Sequence, residues 1–247
     1  WGLSYAGLLI VTLHFASLNS TKVGTRIGLS RSVEQVGPLI AMLVGAWLVA
    51  RVGPRDIFLY MGLASVFGIV LAIFLVDIKN AGNLQRKPEK NFIIPLPKSI
   101  DILIFWIGFG IDGVFTVTIV LMWAEVSGPE VAMLVGAFIL AIRRISEMVL
   151  GPLSGQISDR FGNALPLTVM LGLCATGFFL IGFGVLLMGC VLLVLCRGAL
   201  GTLFPAAASK LHPEQRIFSL TRNQTWRDIG AAAGPFLTGL LLGSFNA

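Results

Sequence analysis

Charge is what this chain lacks most. Asp, Glu, Lys and Arg make up 12% of its 247 residues, where a soluble domain carries about a quarter. Histidine is nearly missing too. His14 and His212 stand alone, with no His-x-x-x-His or Asp-x-x-x-Asp spacing to hold a metal or a diphosphate. The three cysteines, Cys174, Cys190 and Cys196, all lie inside apolar runs. An odd count there argues against disulfides or a metal site and reads as small packing residues. There is no glycine-rich phosphate loop, which argues against direct use of ATP. These absences leave no expected cofactor and no metal. No signal peptide is read either, since Trp1 opens the chain without a methionine or a basic n-region.

What replaces charge is apolar surface. Hydrophobic residues make up 56% of the chain and the mean hydropathy is +0.89. A water-soluble protein of this size has no way to cover so much, so the expected fold is all-α and polytopic in a membrane. A spanning helix needs about 20 mostly apolar residues. Runs of that kind occupy 1–18, 33–51, 57–76, 102–123, 131–152, 164–183, 184–206 and 225–245. Lys22, Arg26, Arg31, Lys79, Arg86, Lys87, Lys90, Lys98, Arg160, Lys210, Arg216 and Arg222 fall in alternate connections. The remaining connections hold only Arg51 and Arg55. Cytoplasmic loops carry the Lys/Arg excess, so the richer set faces the cytoplasm, and the net charge of +6 needs no nucleic acid as partner. The longest polar connection, 77–100, reads as a flexible basic linker between 1–76 and 101–247. Gly37-Pro38 and Gly234-Pro235 each sit inside an apolar run after a basic loop, as in an internal repeat. Each proline removes a helix hydrogen bond and allows bending.

Residues 151–162, Gly-Pro-Leu-Ser-Gly-Gln-Ile-Ser-Asp-Arg-Phe-Gly, read as a charged hinge. Pro152 loosens a helix end and Gly162 permits a reversal. The pattern Gly151, Leu153, Asp159, Arg160, Gly162 resembles the loop signature of the major facilitator superfamily of membrane transporters. It departs from that signature in having Asn163 and Ala164 where a basic pair usually follows. The resemblance implies two six-helix halves repeated in parallel, with these eight spans as helices four to eleven of a longer parent. It also implies that Asp159 meets the start of a helix from the opposite half, here the span beginning near Arg31–Val33. Arg197-x-x-x-Gly201 resembles the family's fourth-helix motif in its tenth-helix counterpart. The antiporter pattern of the fifth helix is not matched at 33–51, which has Val33, Ala41 and Met42. Gly230, Gly234, Pro235 and Gly239 fit it better, in the other half.

A charge at mid-bilayer costs about 2.5–3.5 kcal/mol on translocon scales, so each one must pair, face water or change protonation. Asp112 lies in Gly-Phe-Gly-Ile-Asp-Gly-Val-Phe and reads as a coupling carboxylate, or as a structural acid bonded to a neighbouring helix. Its Gly108-Phe109-Gly110-Ile111-Asp112 context is one residue too long for the Gly-x-Gly-Asp of an intramembrane protease. Arg197 reads as an anion ligand or a fixed ion-pair member. Arg143, Arg144 and Glu147 share a helix flank. There the surplus cation needs a further partner, for which Asp112 is the candidate, and the bland reading is a neutralised structural cluster. Arg227 and Asp228 read as an interfacial anchor. The expected function is secondary transport of a small organic solute across the plasma membrane, coupled to protons, with export slightly favoured. Phe109, Phe115 and Trp106 beside Asp112 suit an amphiphilic solute. The alternatives are a membrane-embedded enzyme or a non-transporting sensor.

Overall fold

Among the described residues the long apolar runs form helices. In the computed structural model, described for residues 2–18, 22–52, 96–211 and 213–245 and isolated positions between 56 and 66, seven long helices follow one another and no strand occurs among the described residues. They are α1 (Gly2–Ser17), α2 (Val23–Val52), α3 (99–127, with a π-helical centre, Gly108–Phe115), α4 (Pro129–Phe161), α5 (Ala164–Gly182), α6 (Leu186–Leu211) and α7 (Arg216–Phe245). Most of the span expected at 57–76, most of the 77–100 linker, and His212 lie outside the described residues. The chain divides into two compact units, 1–37 with 96–247, and 38–95. The contacts described below lie within the first.

Several helices are longer than their apolar runs. α2 begins at Val23 rather than near Val33, α4 continues to Phe161 and α7 begins at Arg216. α4 has 33 residues, about 50 Å at 1.5 Å per residue, against a hydrocarbon core of about 30 Å. Hydropathy marks only the part inside lipid, so the polar ends were read as loops. Residues 151–161 are therefore helix and not a hinge. Only Gly162, at φ +80°, ends α4, in a conformation that costs glycine little.

Pro152 sits inside that unbroken helix, and the reason is local. Its ring nitrogen cannot bond the carbonyl of Met148, four residues back. That carbonyl instead accepts from Ser32 Oγ of α2 at 2.5 Å. Below this point the two helices meet through glycine. A Cβ on Gly24 would lie 2.5 Å from the Gly155 carbonyl oxygen, and one on Gly28 would collide with the Gly151 carbonyl. A Cβ on Gly155 would likewise collide with the Gly24 carbonyl, and one on Gly151 would be tight at 3.3 Å from the Gly28 oxygen. Gly24-x-x-x-Gly28 against Gly151-x-x-x-Gly155 is the small-residue seam by which membrane helices approach closely.

α6 is more enclosed than α3 or α5, with 61% of its most apolar stretch buried against 33% and 22%. Ile104, Ile107, Ile111, Phe115 and Ile119 form one stripe along α3, in a core shared with Leu193, Val194, Leu200, Leu203 and Phe204 of α6. Large apolar side chains elsewhere face outward, among them Leu134, Phe138, Phe179 and Phe236. In water such a surface is a liability; in a bilayer it faces like solvent. Three helices, Ser99–Ser127, α5 and α6, are long and apolar enough to cross a membrane among the described residues. α7 packs on α3 through another glycine contact, Gly234 Cα lying 2.8 Å from where a Gly113 Cβ would stand. Along the π-helical segment Gly108 faces the Arg227 carbonyl and Gly113 faces Gly234, while Gly230 of α7 meets the Phe105 carbonyl.

Overpacking the glycine seam should cost about 1–3 kcal/mol. Gly155→Val is expected to lower the melting temperature in mild detergent, followed by tryptophan fluorescence. Gly172→Ala, which meets nothing within 4 Å, should leave it essentially unchanged. Equal melting of the two variants would show that the seam contributes nothing.

Candidate functional site

Asp112 lies in the π-helical centre of α3, where the altered turn swings one carboxylate toward two neighbouring helices at once. Arg197 of α6 donates to it twice, Nε to Oδ1 at 2.8 Å and Nη2 to Oδ2 at 2.9 Å. Arg143 of α4 adds Nη2 to Oδ1 at 2.7 Å and turns its Nε to Glu147 Oε1 at 3.2 Å. Two carboxylates and two guanidiniums thus form one chain of four charges, neutral in sum. The fork geometry of arginine suits the bidentate bond, and charge-assisted bonds of this kind are about twice as strong as neutral ones. Gly201 keeps the space for it, since a Cβ there would stand 3.1 Å from Arg197 Nη1. That gives the Arg-x-x-x-Gly spacing a steric reason.

The remaining flank residue, Arg144, turns away from Glu147 and donates through Nη1 to Gln35 Oε1 of α2 at 2.7 Å. Gln35 was not anticipated. Its signal was a buried amide in an apolar helix. Gly37, Pro38, Gly234 and Pro235 all lie inside helices, and Gly234 packs against Gly113 beside Asp112. Arg227 bonds Asp228 at 2.7 Å. Among the described residues no group of His, Cys, Asp and Glu is arranged to hold a metal.

A cavity of about 360 Å³ adjoins the ion network, between α3, α4 and α6. Ile111, Phe115, Ile119, Ile139, Leu140 and Val194 contribute apolar walls, while Arg143 and Arg197 contribute its charged end. Of the three aromatics expected near Asp112, only Phe115 reaches it. Phe109 and Trp106 instead stack with each other and with Phe105, and Trp106 is exposed.

At the far end of α4, Asp159 closes on the first turn of α2. Gly24 N and Thr25 N donate to its two oxygens at 2.9 and 2.8 Å, Thr25 Oγ1 at 2.9 Å, and Lys210 Nζ at 3.0 Å. The contact falls at Val23–Thr25 rather than near Arg31, because α2 starts earlier than its apolar run. Arg31 pairs with Glu34. An acid here satisfies orphan N–H groups and meets the positive end of the helix dipole. Burial opposes its ionisation, but the Thr25 and Gly24 amides and Lys210 outweigh that and hold the carboxyl below its ordinary value. Lys210 also reaches Asn163 Oδ1 at 3.3 Å, so α6 supplies the cation at this corner. Arg160 is exposed.

A second buried pair escaped the sequence reading, which placed Arg222 in a loop. Asp101 is fully buried, takes Arg222 Nε at 2.5 Å, and accepts from Lys98 N at 2.9 Å at the start of α3. Arg216, another residue read as loop, donates to the carbonyls of Ser17 and Leu18 at the end of α1.

A model of the Major Facilitator Superfamily matches residues 2–235. The chain belongs to that superfamily. It is an integral membrane protein and a transporter in the coarse sense that membership carries. No curated protein and no solved structure matches it. In this chain Asp159 sits on the start of α2, and the Asp112 network lies on the three helices that border the cavity.

Breaking a buried pair from one side costs about 3–5 kcal/mol, because the other charge is stranded. Arg197→Leu should therefore melt lower than the double variant Asp112→Leu/Arg197→Leu. The reverse order would show that Asp112 is satisfied without Arg197. For Asp159 the folded carboxyl is the stronger acid, so its contribution is complete above the ordinary aspartate range and fades as pH falls through the lowered value. Asp159→Ala should cost about 1–2 kcal/mol at neutral pH, as loss of a cap does, and the gap to wild type should narrow on acidification. A gap constant with pH would assign the loss to something other than the carboxylate.

Proposed function

We propose that this major facilitator protein is a proton-coupled secondary transporter of a small organic solute in the plasma membrane. It works by alternating access, and Asp112 is the coupling carboxylate. One observation carries the reading. A single carboxylate in a π-helical segment ties α3 to both α4 and α6 through Arg143 and Arg197, and those two arginines form the polar end of the cavity. Protonating Asp112 removes the charge that both guanidiniums answer. The tie between three helices then loosens, and the arginines become available to the cavity. π-Helical turns inside α-helices occur frequently at functional sites, which supports the same placement.

Arg197, Arg143 and Glu147 are proposed to set which protonation state of Asp112 the empty site prefers. Arg144, bonded to Gln35, is proposed to report the site's state to α2. The Asp159 contact is proposed as the cytoplasmic latch. The dipole interaction is worth about 0.3–1 kcal/mol, enough to bias two conformations without locking either. Gly151 and Gly162 let the helices meet and end there, and Arg160 faces the aqueous side. Transport direction follows the sum of the solute and proton gradients.

The test is pH-dependent flux of a panel of small solutes into proteoliposomes holding the full-length protein. Asp112→Asn is expected to abolish acceleration by an imposed proton gradient while counterflow exchange persists. Coupling unchanged in Asp112→Asn would sink Asp112 as the coupling group. Absence of flux for every solute, with the protein folded, would favour the sensor reading instead.

A further inference from the structure

The cavity has a strongly one-sided chemistry. Its walls are hydrocarbon and its charged groups are both arginines; Asp112 itself is not among the residues that line it. The cavity therefore meets the ion network through its two arginines. A guanidinium carries five N–H donors. The bonds of Arg143 to Asp112 and Glu147 leave from Nη2 and Nε, and its Nη1 takes part in neither. Beside an apolar void, spare donors on a cation make a place for an anion. A cationic solute would instead meet two like charges in a medium of low dielectric constant.

Electrical balance narrows the class further. Asp112, Glu147, Arg143 and Arg197 sum to zero, so an entering anion leaves the site with one uncompensated negative charge. Charge without a partner in such surroundings is strongly disfavoured. One proton restores neutrality, and Asp112 is where it would act. Asp112 is faced by Arg143 and Glu147 from α4, by Arg197 from α6 and, at longer range, by Arg227 from α7. Protonated, Asp112 no longer needs the bond from Arg143 Nη2, and that bond passes to the anion. The proton comes from solution and leaves with the solute.

We infer that the cavity takes a single-headed amphiphilic monoanion, such as a medium-chain carboxylate. Its headgroup replaces Asp112 on Arg143, its tail lies along Phe115, Ile119 and Leu140, and one proton is bound with it. This rests on the proposed reading of the cavity as the solute site. Its volume falls within the range of small-molecule pockets, about 300–1,000 Å³.

Binding is measured by calorimetry on the full-length protein in nanodiscs, with empty nanodiscs subtracted, using octanoate and octylammonium as probes. Octanoate is expected to saturate, to bind about tenfold tighter per unit fall in pH while the empty site is ionised, and to take up a proton. Octylammonium should not saturate. Arg143→Gln should weaken octanoate by about tenfold or more, in line with loss of a charged hydrogen bond. Because Arg143→Gln also disturbs the ion network, Ala137→Phe provides a second probe. It fills the cavity from another position on α4 and should block octanoate without lowering the melting temperature.

Equal binding of octylammonium, or octanoate binding that both variants retain, would overturn the inference. A pH slope that survives Asp112→Asn would overturn its proton component. Saturable, arginine-dependent octanoate binding in a protein that moves no solute would uphold the ligand class while the transport reading fails. Flux of some other solute with no octanoate binding would do the opposite.

Discussion

The bidentate bond between Asp112 and Arg197 is the constraint around which the bundle is arranged. Neither charge is tolerable alone in a hydrocarbon interior, so α3 and α6 must hold a fixed register and a fixed distance. The consequences can be followed outward. α3 widens into π turns around Asp112. Those turns set Gly113 against Gly234 of α7. Gly201 leaves room for the guanidinium. Gly198 lets α4 approach, with Ser146 Oγ 2.8 Å from where its Cβ would stand, and that approach brings Arg143 within reach of the same carboxylate. The apolar stripe on α3 then packs along α6 as the polar bond requires.

Polar bonds and glycine contacts divide the work differently here than in a soluble protein. Lipid tails are as apolar as leucine, so burying leucine against leucine gains little in a bilayer. Close approach, dispersion and interhelical hydrogen bonds must hold helices together instead. The α2–α4 contact shows each of these. Four glycines bring two backbones together, Ser32 supplies the bond that Pro152 denies to Met148, and Asp159 ends the contact on the first turn of α2. Removing the Cβ atoms creates the proximity, and the polar groups give it direction. A contact made this way is strong enough to define a state and weak enough to be exchanged for another, which suits the alternation proposed above.

The two ion-pair regions differ in what surrounds them. Asp101 and Arg222 are closed off completely, with a backbone amide of the α3 start completing the carboxylate. Neither residue lines the cavity beside Asp112, and the pair joins α3 to α7 as a fixed strut. The Asp112 network borders a cavity and has more donors than its own acids consume. The same residue types give a structural joint in one place and a candidate solute site in the other, and the difference lies in the neighbouring empty space.

Composition alone determined that this is a helical membrane protein. So large an apolar fraction has no other solvent, and in that solvent a backbone must bond to itself. The Asp-Arg-x-Gly loop pattern pointed to the family, and each mid-span charge stood out because it is costly. Helix ends were not legible. Hydropathy reports where lipid begins, and α2, α4 and α7 run on past it as amphiphilic helix, which moved the Asp159 contact from Arg31 to Gly24 and Thr25. Pro152 looked like a break because its compensating donor, Ser32, lies 120 residues away along the chain. Gly24-x-x-x-Gly28 was visible as a pattern, but not its partner. Which arginine met which acid belonged to tertiary structure alone: Arg143 and Arg144 are adjacent in sequence, yet 100° of helical turn separates them, so one points to Asp112 and the other to Gln35.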